Sequence, residues 1–282
     1  MTLSSKLLQK KVEELSSLPT LPGIVQYICQ MVDNENITAQ EIGNIIAKDQ
    51  VLSAKILRLV NSPIYGFPGR ISSITHALVL LGFSVVKGLV LSTAVFENMA
   101  SGAKGLWEHS LGTAVISRRI AKELNMRESE EIMVAGLLHD LGKVVLSFVA
   151  PEEYNRAVEL ARQNKWHISR SEKEVFGVDH TIVAGWLSTQ WHLPERLSNT
   201  IQRHHNPSRD QKYPEITATV HLADILSRGM NYGYAGDDVM PELDHEAFNL
   251  LGLSYTQIDS ILQSAEQEFM LGMSIFSEHQ EN

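Results

Sequence analysis

The sequence is poor in the residues and patterns that mark several large classes of protein. Its 282 residues include a single cysteine, Cys29, so no disulfide can form within the chain and a reducing compartment is expected. Lysine and arginine are not clustered and the net charge is -9, which argues against a nucleic-acid-binding surface. No stretch approaches the roughly 20 apolar residues that cross a bilayer, and the start of the chain lacks the apolar segment of a signal peptide. We therefore expect a cytoplasmic protein that binds neither nucleic acid nor membranes.

Sustained alternation of apolar and polar residues, the mark of a strand, is also missing. Apolar residues recur three and four positions apart instead, as in SSKLLQKKVEELSSL and SYTQIDSILQSAEQEF. This periodicity predicts an all-α fold. The small residues of MASGAKG, at positions 99–105, predict a junction between two helical lobes, residues 1–103 and 104–282. The first lobe carries few ionisable groups in its apolar runs, which favours a role in packing and in contacts with partners.

Histidine and aspartate stand beside small and apolar residues in five segments of the second lobe, namely LWEHSLGTA, AGLLHDLGK, GVDHTIVAGW, IQRHHNPS and VHLADIL. Such side chains are costly to bury unless they are paired, hydrogen-bonded or bound to metal. The segments therefore predict a shared metal site, whose candidate ligands are His109, His139, Asp140, His180, His204, His205 and Asp224.

Imidazole and carboxylate donors suit a divalent transition metal, with iron first and manganese, nickel or zinc as alternatives. Seven donors exceed what one tetrahedral ion needs, so one or two ions are expected, with Asp140 as the bridging carboxylate of a two-ion site. We place His139 and Asp140 late in the helix that runs into LGK, and Lys143 one turn after His139 and facing the same cavity. The lack of nearby cysteine argues against a structural zinc site.

Other roles for these residues stay open. His109 alone suits a core histidine bonded to a backbone carbonyl, His204 and His205 suit a helix C-terminus, and Asp224 suits a salt bridge. Asp179 is predicted to cap a helix rather than to bind metal. His221, three residues before Asp224, is either a further ligand or a residue that orients Asp224. The remaining histidines are expected to face solvent or polar surroundings and are excluded from the site: His76, His167, His192, His245 and His279.

In this order, the histidines and aspartates resemble the ligands of the HD superfamily of helical metal-dependent phosphohydrolases. The segments LPTLPGIVQYICQMV, IIAKDQVLSAKILRLVNSPIYGFPGRISSITHALVLLG and AGLLHDLGK resemble the HDOD domain, an HD-related output domain of bacterial signalling proteins. Many HDOD domains have lost metal ligands, whereas this chain keeps a nearly full set. The ligand order is also similar to that of HD-GYP cyclic-di-GMP phosphodiesterases, in which a lysine at the position of Lys143 contacts the substrate phosphate. The GYP signature is absent after His205, and Gly105 stands where a glutamate ligand sometimes occurs.

Three hypotheses follow from the residues and the resemblance. The first is a signal-transduction output module that retains a metal site and acts through protein partners. The second is a metal-dependent phosphohydrolase of a nucleotide or cyclic dinucleotide, with Asp140 and Lys143 as its catalytic residues. The third is a hydrogen-bonded relic of a metal site that no longer binds an ion.

Overall fold

The computed structural model describes residues 5–15, 38–62, 65–67, 69–99 and 105–277. Cys29 and residues 100–104 of the expected lobe junction lie outside this part of the chain. The described residues form α-helices and one short 3-10 helix, Pro207–Arg209, with no β-strand among them. The prediction of an all-α fold is confirmed.

The α-helices are numbered in chain order. They are α1 (Ser5–Leu15), α2 (Ala39–Ile46), α3 (Gln50–Val60), α4 (Ile74–Leu81), α5 (Phe83–Met99), α6 (Leu106–Glu123), α7 (Ser129–Leu138), α8 (Leu141–Val149), α9 (Pro151–Asn164), α10 (Ile168–Phe176), α11 (His180–Gln190), α12 (Glu195–Arg203), α13 (Pro214–Gly229), α14 (His245–Leu251) and α15 (Tyr255–Ser277).

Short polar side chains fix the start of several helices. Asp49 accepts a hydrogen bond from the backbone N–H of Leu52 at the start of α3, and Ser73 does the same for His76 at the start of α4. Asp179 accepts from the first-turn N–H groups of α11, as the sequence predicts for a capping residue. Each side chain satisfies an N–H group that has no partner inside its helix, so these starts are encoded locally.

Helices α7 and α8 form the centre of the core. Together they span Ser129–Val149, a stretch that is long and apolar enough to cross a membrane by length and composition. The expectation that no stretch approaches this length is therefore wrong. In the structure, 89% of the most apolar part of the stretch is buried inside the protein, where α6, α11 and α13 pack around it. A helix that is apolar on all sides is typical of the centre of a large core.

The two halves of the described chain are joined by buried polar contacts. Lys87 on α5 is fully buried, and its Nζ donates to the carbonyl of His192 at 2.8 Å. Arg118 on α6 donates to the carbonyl of Tyr65 at 2.9 Å. Helix α1, which the sequence analysis assigns to the first lobe, packs on α8 and α11 of the second. The lobe boundary stays a prediction, but the first helix of the chain contributes to the core around α8.

Candidate metal centre

All seven candidate ligands lie at one place in the second half of the chain, where six helices meet. His109 is on α6, His139 and Asp140 lie between α7 and α8, His180 begins α11, His204 and His205 follow α12, and Asp224 is on α13. Six of the seven side chains are at most 1% exposed, and His205 is half-buried. Residues up to 115 positions apart in the sequence are thus brought into one buried cluster.

His139 and Asp140 occupy a helix junction, not a position within one helix as the sequence analysis placed them. Helix α7 ends at Leu138, His139 is its C-terminal cap residue, and Asp140 immediately precedes α8. The close approach of α8 to α11 requires a glycine here, because a Cβ on Gly142 would lie 1.9 Å from the carbonyl oxygen of His180. Gly142 therefore allows Asp140 and His180 to come within contact distance.

Most of the histidine rings are held through Nδ1, which leaves Nε2 facing the centre. The Nδ1 of His139 bonds to the carbonyl of Gly136 at 2.7 Å, and that of His204 bonds to the carbonyl of Ile201 at 2.8 Å. Both carbonyls belong to a last helical turn, where they have no partner within the helix. A hydrogen bond at Nδ1 fixes the tautomer in which Nε2 carries the lone pair that binds a metal.

We call His109, His139 and Asp224, with Asp140 Oδ2, the first donor group. His109 Nε2 lies 3.1 Å from Asp224 Oδ1 and 3.6 Å from Asp140 Oδ2. His139 Nε2 lies 3.3 Å from Asp140 Oδ2 and 3.9 Å from Asp224 Oδ1. Donors that share an ion at about 2.0–2.2 Å lie about 3 to 4 Å from one another, depending on the angle at the ion, so this spacing suits a common ion.

We call His180, His204 and His205, with Asp140 Oδ1, the second donor group. His180 Nε2 lies 3.0 Å from His205 Nε2 and 3.4 Å from Asp140 Oδ1. His204 Nε2 lies 3.9 Å from the same carboxylate oxygen. Three imidazoles and one carboxylate oxygen again have the spacing of ligands around one ion.

Asp140 lies between the two groups and presents one oxygen to each. Its Oδ2 also accepts a hydrogen bond from Lys143 Nζ at 2.7 Å, and both side chains are fully buried. Lys143 thus faces the same cluster, as the sequence analysis placed it. The arrangement matches the bridging carboxylate expected from the sequence, while metal binding itself stays a prediction.

Several donor atoms are buried without a hydrogen-bond partner among the described residues. They are His109 Nε2, His139 Nε2, His204 Nε2 and Asp140 Oδ1. A buried polar atom that lacks a partner is costly, and such atoms are rare in folded proteins. Four of them at one place fit a cluster that holds cations, so the residues present suit the expected metal ions.

The charge state at neutral pH also suits cations. Burial opposes ionisation of Asp140, but neighbouring His139 and Lys143 outweigh it and hold the pKa of Asp140 well below its usual range. Burial together with neighbouring histidines lowers the pKa of His204 and of His205 well below the ordinary value. These donors are therefore deprotonated at neutral pH, which is the form that binds metal.

The pKa values of Asp224 and of the histidines of the first donor group are shifted by different neighbours. Burial opposes ionisation of Asp224, but Arg228 and His109 hold its pKa well below the usual range. Burial lowers the pKa of His109. Burial has the same tendency at His139, but Asp140 and Asp224 outweigh it and raise the pKa of His139. His139 is the donor of the first group at which a proton competes best with a metal ion.

His221 has neither of the two roles expected from the sequence. Its Nδ1 donates to the carbonyl of His204 at 2.7 Å, and its Nε2 accepts from the backbone N–H of Asp244 at 3.0 Å. Both ring nitrogens are in use, so His221 supports the chain at His204 and leaves Asp224 to another partner. That partner is Arg228, whose Nε lies 3.3 Å from Asp224 Oδ1.

His167 is half-buried beside the cluster, so the expectation that it faces solvent is wrong. Its ring lies edge-on to that of His205 with 4.8 Å between ring centroids. Burial lowers the pKa of His167 to about 4. Its Nδ1 lies 2.8 Å from Ser169 Oγ at the start of α10. Of the other excluded histidines, His76, His192 and His245 are exposed, and His279 lies outside the described residues.

Two buried charged residues near the site were not predicted from the sequence. Glu172 on α10 bonds to His180, and Arg228 joins Asp224 to Asp237, with 3.0 Å from its Nη1 to Asp237 Oδ1. The spacing of Asp224 and Arg228, one helical turn apart, is a signal that the sequence contains. Glu172 lies in the polar segment SRSEKE and gives no such signal, because its burial depends on how α10 packs.

Gly105 has a backbone role that explains the missing glutamate. It precedes α6 with φ of 88°, and its carbonyl accepts from the N–H groups of His109 and Tyr234. A Cβ at this position would lie 2.8 Å from the backbone nitrogen of Tyr234. A side-chain ligand therefore cannot be carried here without moving the start of α6.

The chain is similar in sequence, and in the fold of its structure, to known proteins. It is 26% identical over 232 residues to an uncharacterized protein of Treponema pallidum (strain Nichols), a match of 80% of this chain and 45% of the relative. The chain thus spans less than half the length of that relative. It is 26% identical to an HDOD domain protein of unknown function from Geobacter sulfurreducens, with a TM-score of 0.70 over 96% of this chain and 97% of the other.

A structure from Shewanella amazonensis SB2B, which carries the provisional name of a phosphohydrolase, has the same fold. It is 22% identical with a TM-score of 0.68, over 95% of this chain and 96% of the other. The model of the HDOD domain matches residues 18–207, about two thirds of the chain. That match ends just after the paired histidines His204 and His205, and the described helices on both sides of residues 100–104 lie within it. The chain belongs to the HDOD domain family.

Proposed function

We propose that this protein is a signal-transduction output domain that holds two divalent transition-metal ions and acts through protein partners. The observation that carries the proposal is the closed donor cluster. Six of its seven side chains are at most 1% exposed, and Asp140 offers one oxygen to each donor group. A buried cluster of this kind suits ions that are held as part of the fold, and such ions stabilise the state that binds them.

The closed geometry supports regulation over rapid turnover. A nucleotide must reach the metal ions directly, yet six of the seven candidate ligands are at most 1% exposed, and the seventh, His205, is half-buried against His167. Lys143, the residue that would contact a phosphate, is fully buried and engaged by Asp140. These contacts favour a site that changes occupancy or redox state over one that admits a large substrate.

The donor atoms narrow the choice of metal. The two groups offer imidazole nitrogen and carboxylate oxygen, with no sulfur among them. Such sites suit iron and manganese, and also nickel and zinc. We propose iron as the first choice, because a signalling role is served by an ion that changes its oxidation state.

The experiment is metal analysis of protein purified without oxygen, by mass spectrometry of the metals and by protein quantification. We expect about two equivalents of transition metal per chain, as a two-ion site requires. A screen of phosphoesters with the same preparation is expected to show little turnover. A metal content near zero, also after incubation with ferrous or manganous ions, would contradict the proposal and favour the relic.

A phosphohydrolase is the second candidate, and the placement of Asp140 and Lys143 favours it. When bound, two ions would activate a water molecule and stabilise phosphate charge. Asp140 would hold both ions in place, and Lys143 would lend positive charge to the same cavity. The trial is hydrolysis of nucleotides and cyclic dinucleotides by metal-loaded protein, with Asp140→Asn as the control. Equal rates for both proteins would end this candidate, and rapid turnover by the unaltered protein alone would rank it above regulation.

A further inference from the structure

Glu172 is a buried carboxylate that the sequence analysis did not connect with the metal site. It lies on α10, three residues before Val175 in the last turn of the helix, and is fully buried. One of its oxygens, Oε1, is buried without a hydrogen-bond partner among the described residues. A carboxylate is retained in such surroundings only when its other contacts offset the cost of burial.

The other oxygen of Glu172, Oε2, accepts two hydrogen bonds from one candidate metal ligand, His180. Glu172 Oε2 accepts from His180 Nδ1 at 2.6 Å and from the backbone N–H of His180 at 2.9 Å. The first bond fixes the ring tautomer, and the second fixes the backbone that carries the ring. The Nε2 of His180 then faces His205 Nε2 and Asp140 Oδ1, the other members of the second donor group.

The corner between α10 and α11 is built to hold this contact. Gly177 ends α10 in the left-handed region, with φ of 77°, and Asp179 caps α11. The turn therefore reverses the direction of the chain, so that His180, the first residue of α11, contacts the side chain of Glu172 on α10. Local geometry encodes the corner, while the bond from Glu172 connects it to the donor cluster.

The contact is specific to one donor group. His180 belongs to the second group alone, whereas the rings of the first group have other partners. His139 bonds to the carbonyl of Gly136, and His109 Nδ1 lies 3.4 Å from Ser227 Oγ. A substitution of Glu172 should therefore change the affinity for the two ions unequally.

We propose that Glu172 is a positioning residue for the ion of the second donor group, an inference that rests on the proposed two-ion centre. A carboxylate that accepts from Nδ1 orients the ring and makes Nε2 a stronger donor. Loss of such a partner lowers metal affinity by about 10- to 100-fold. The ion of the first group keeps all its donors and their partners.

The test is titration of the metal-free full chain with Co²⁺ in competition with a chelator, followed by the visible absorption of bound Co²⁺. The variants are Glu172→Gln and, as a matched control, Glu268→Gln. Glu268 on α15 is a buried carboxylate with one oxygen that lacks a hydrogen-bond partner among the described residues, like Glu172, but it bonds to Arg119 instead of a donor ring. Glu172→Gln is expected to weaken one Co²⁺ by about 10- to 100-fold, to alter its absorption band, and to leave the other ion unchanged. Glu268→Gln is expected to keep both affinities.

The outcomes separate this inference from the proposed function. If the unaltered protein binds no Co²⁺, the two-ion centre itself is wrong. If it binds two ions and Glu172→Gln keeps both affinities, or weakens both equally, Glu172 is not a positioning residue for the second ion. Should Glu172→Gln fail to fold, Glu172→Asp takes its place, because it keeps the carboxylate on a shorter arm. It is expected to weaken the same single ion, and unchanged binding of both ions by this variant would overturn the proposal.

Discussion

The two donor groups share Asp140 but differ in composition and in access. The first adds a second carboxylate, Asp224, and every member is at most 1% exposed. The second consists of three histidines and includes half-buried His205, which touches His167. The first group is thus the more negative and closed of the two, and the second is the more neutral and open. Two sites that share one ligand can in this way hold ions with different exchange behaviour.

The partners behind the donors differ as well. Asp224 is fixed by Arg228, which also bonds to Asp237 and to the carbonyl of Val239 at 3.0 Å. In the second group His180 is fixed by Glu172. A ligand of the first group is therefore held by a buried cation, and a ligand of the second group is held by a buried anion. The comparison predicts unequal responses to substitution and to pH.

The largest effect is expected from Asp140→Asn, because this carboxylate serves both groups. Asparagine keeps the shape of the side chain but removes the negative charge that Lys143 contacts and that both proposed ions would share. We expect the metal content to fall from about two equivalents to less than about half an equivalent. Metal analysis with circular dichroism as a check on folding measures this. Loss of a single ion would show that Asp140 does not lie between two sites.

Substitution of one donor from each group should remove one ion each. His109→Ala is expected to remove the first ion and His205→Ala the second, each leaving about one equivalent. The two variants can be told apart by the rate at which the remaining ion is taken up by a chelator, which should be faster for the more open second group. Identical rates would contradict the difference in access.

Acid should weaken the first group at a higher pH than the second. Binding to the first group displaces a proton from His139, whose pKa is raised by Asp140 and Asp224 despite burial. Its affinity should fall about tenfold per pH unit below that raised value. His204 and His205 have pKa values well below the ordinary value of about 6.5, so they compete with protons only at lower pH.

The pH dependence can be measured for each group alone. His205→Ala reports the first group and His109→Ala the second, by chelator competition between about pH 8 and pH 6, across the usual range for histidine. A steeper fall in His109→Ala than in His205→Ala would reverse the assignment.

The smallest effect is expected from Ser227→Ala. The Oγ of Ser227 lies 3.4 Å from His109 Nδ1, a long and weak contact compared with the 2.6 Å bond of Glu172 to His180. We expect the affinity of the first ion to fall by less than about threefold, far below the effect of losing a carboxylate partner. The chelator titration of the His205→Ala variant, with and without this change, measures it. A loss of tenfold or more would mean that both groups depend equally on their supporting residues.

Much of the donor set was predictable because it depends on residue chemistry and local context. The seven candidates stand beside small and apolar residues, and all of them meet in the structure. Asp179 was predictable as a cap for the same reason, since capping involves only the next three residues. The roles of Glu172 and His167 were not predictable, because both lie in polar segments, and Glu172 becomes buried and His167 half-buried only when α10 packs on the core.

The sequence by itself determined the helical periodicity, the starts of several helices and the chemistry available at the site. Only the tertiary structure decided that the donors gather in overlapping groups around Asp140, that Asp140 presents one oxygen to each side, and that α8 and α11 touch at Gly142. The physical reason is range. Helix formation and capping act over three or four residues, whereas the distance between Asp140 and His180 is set by how two helices 40 residues apart pack together.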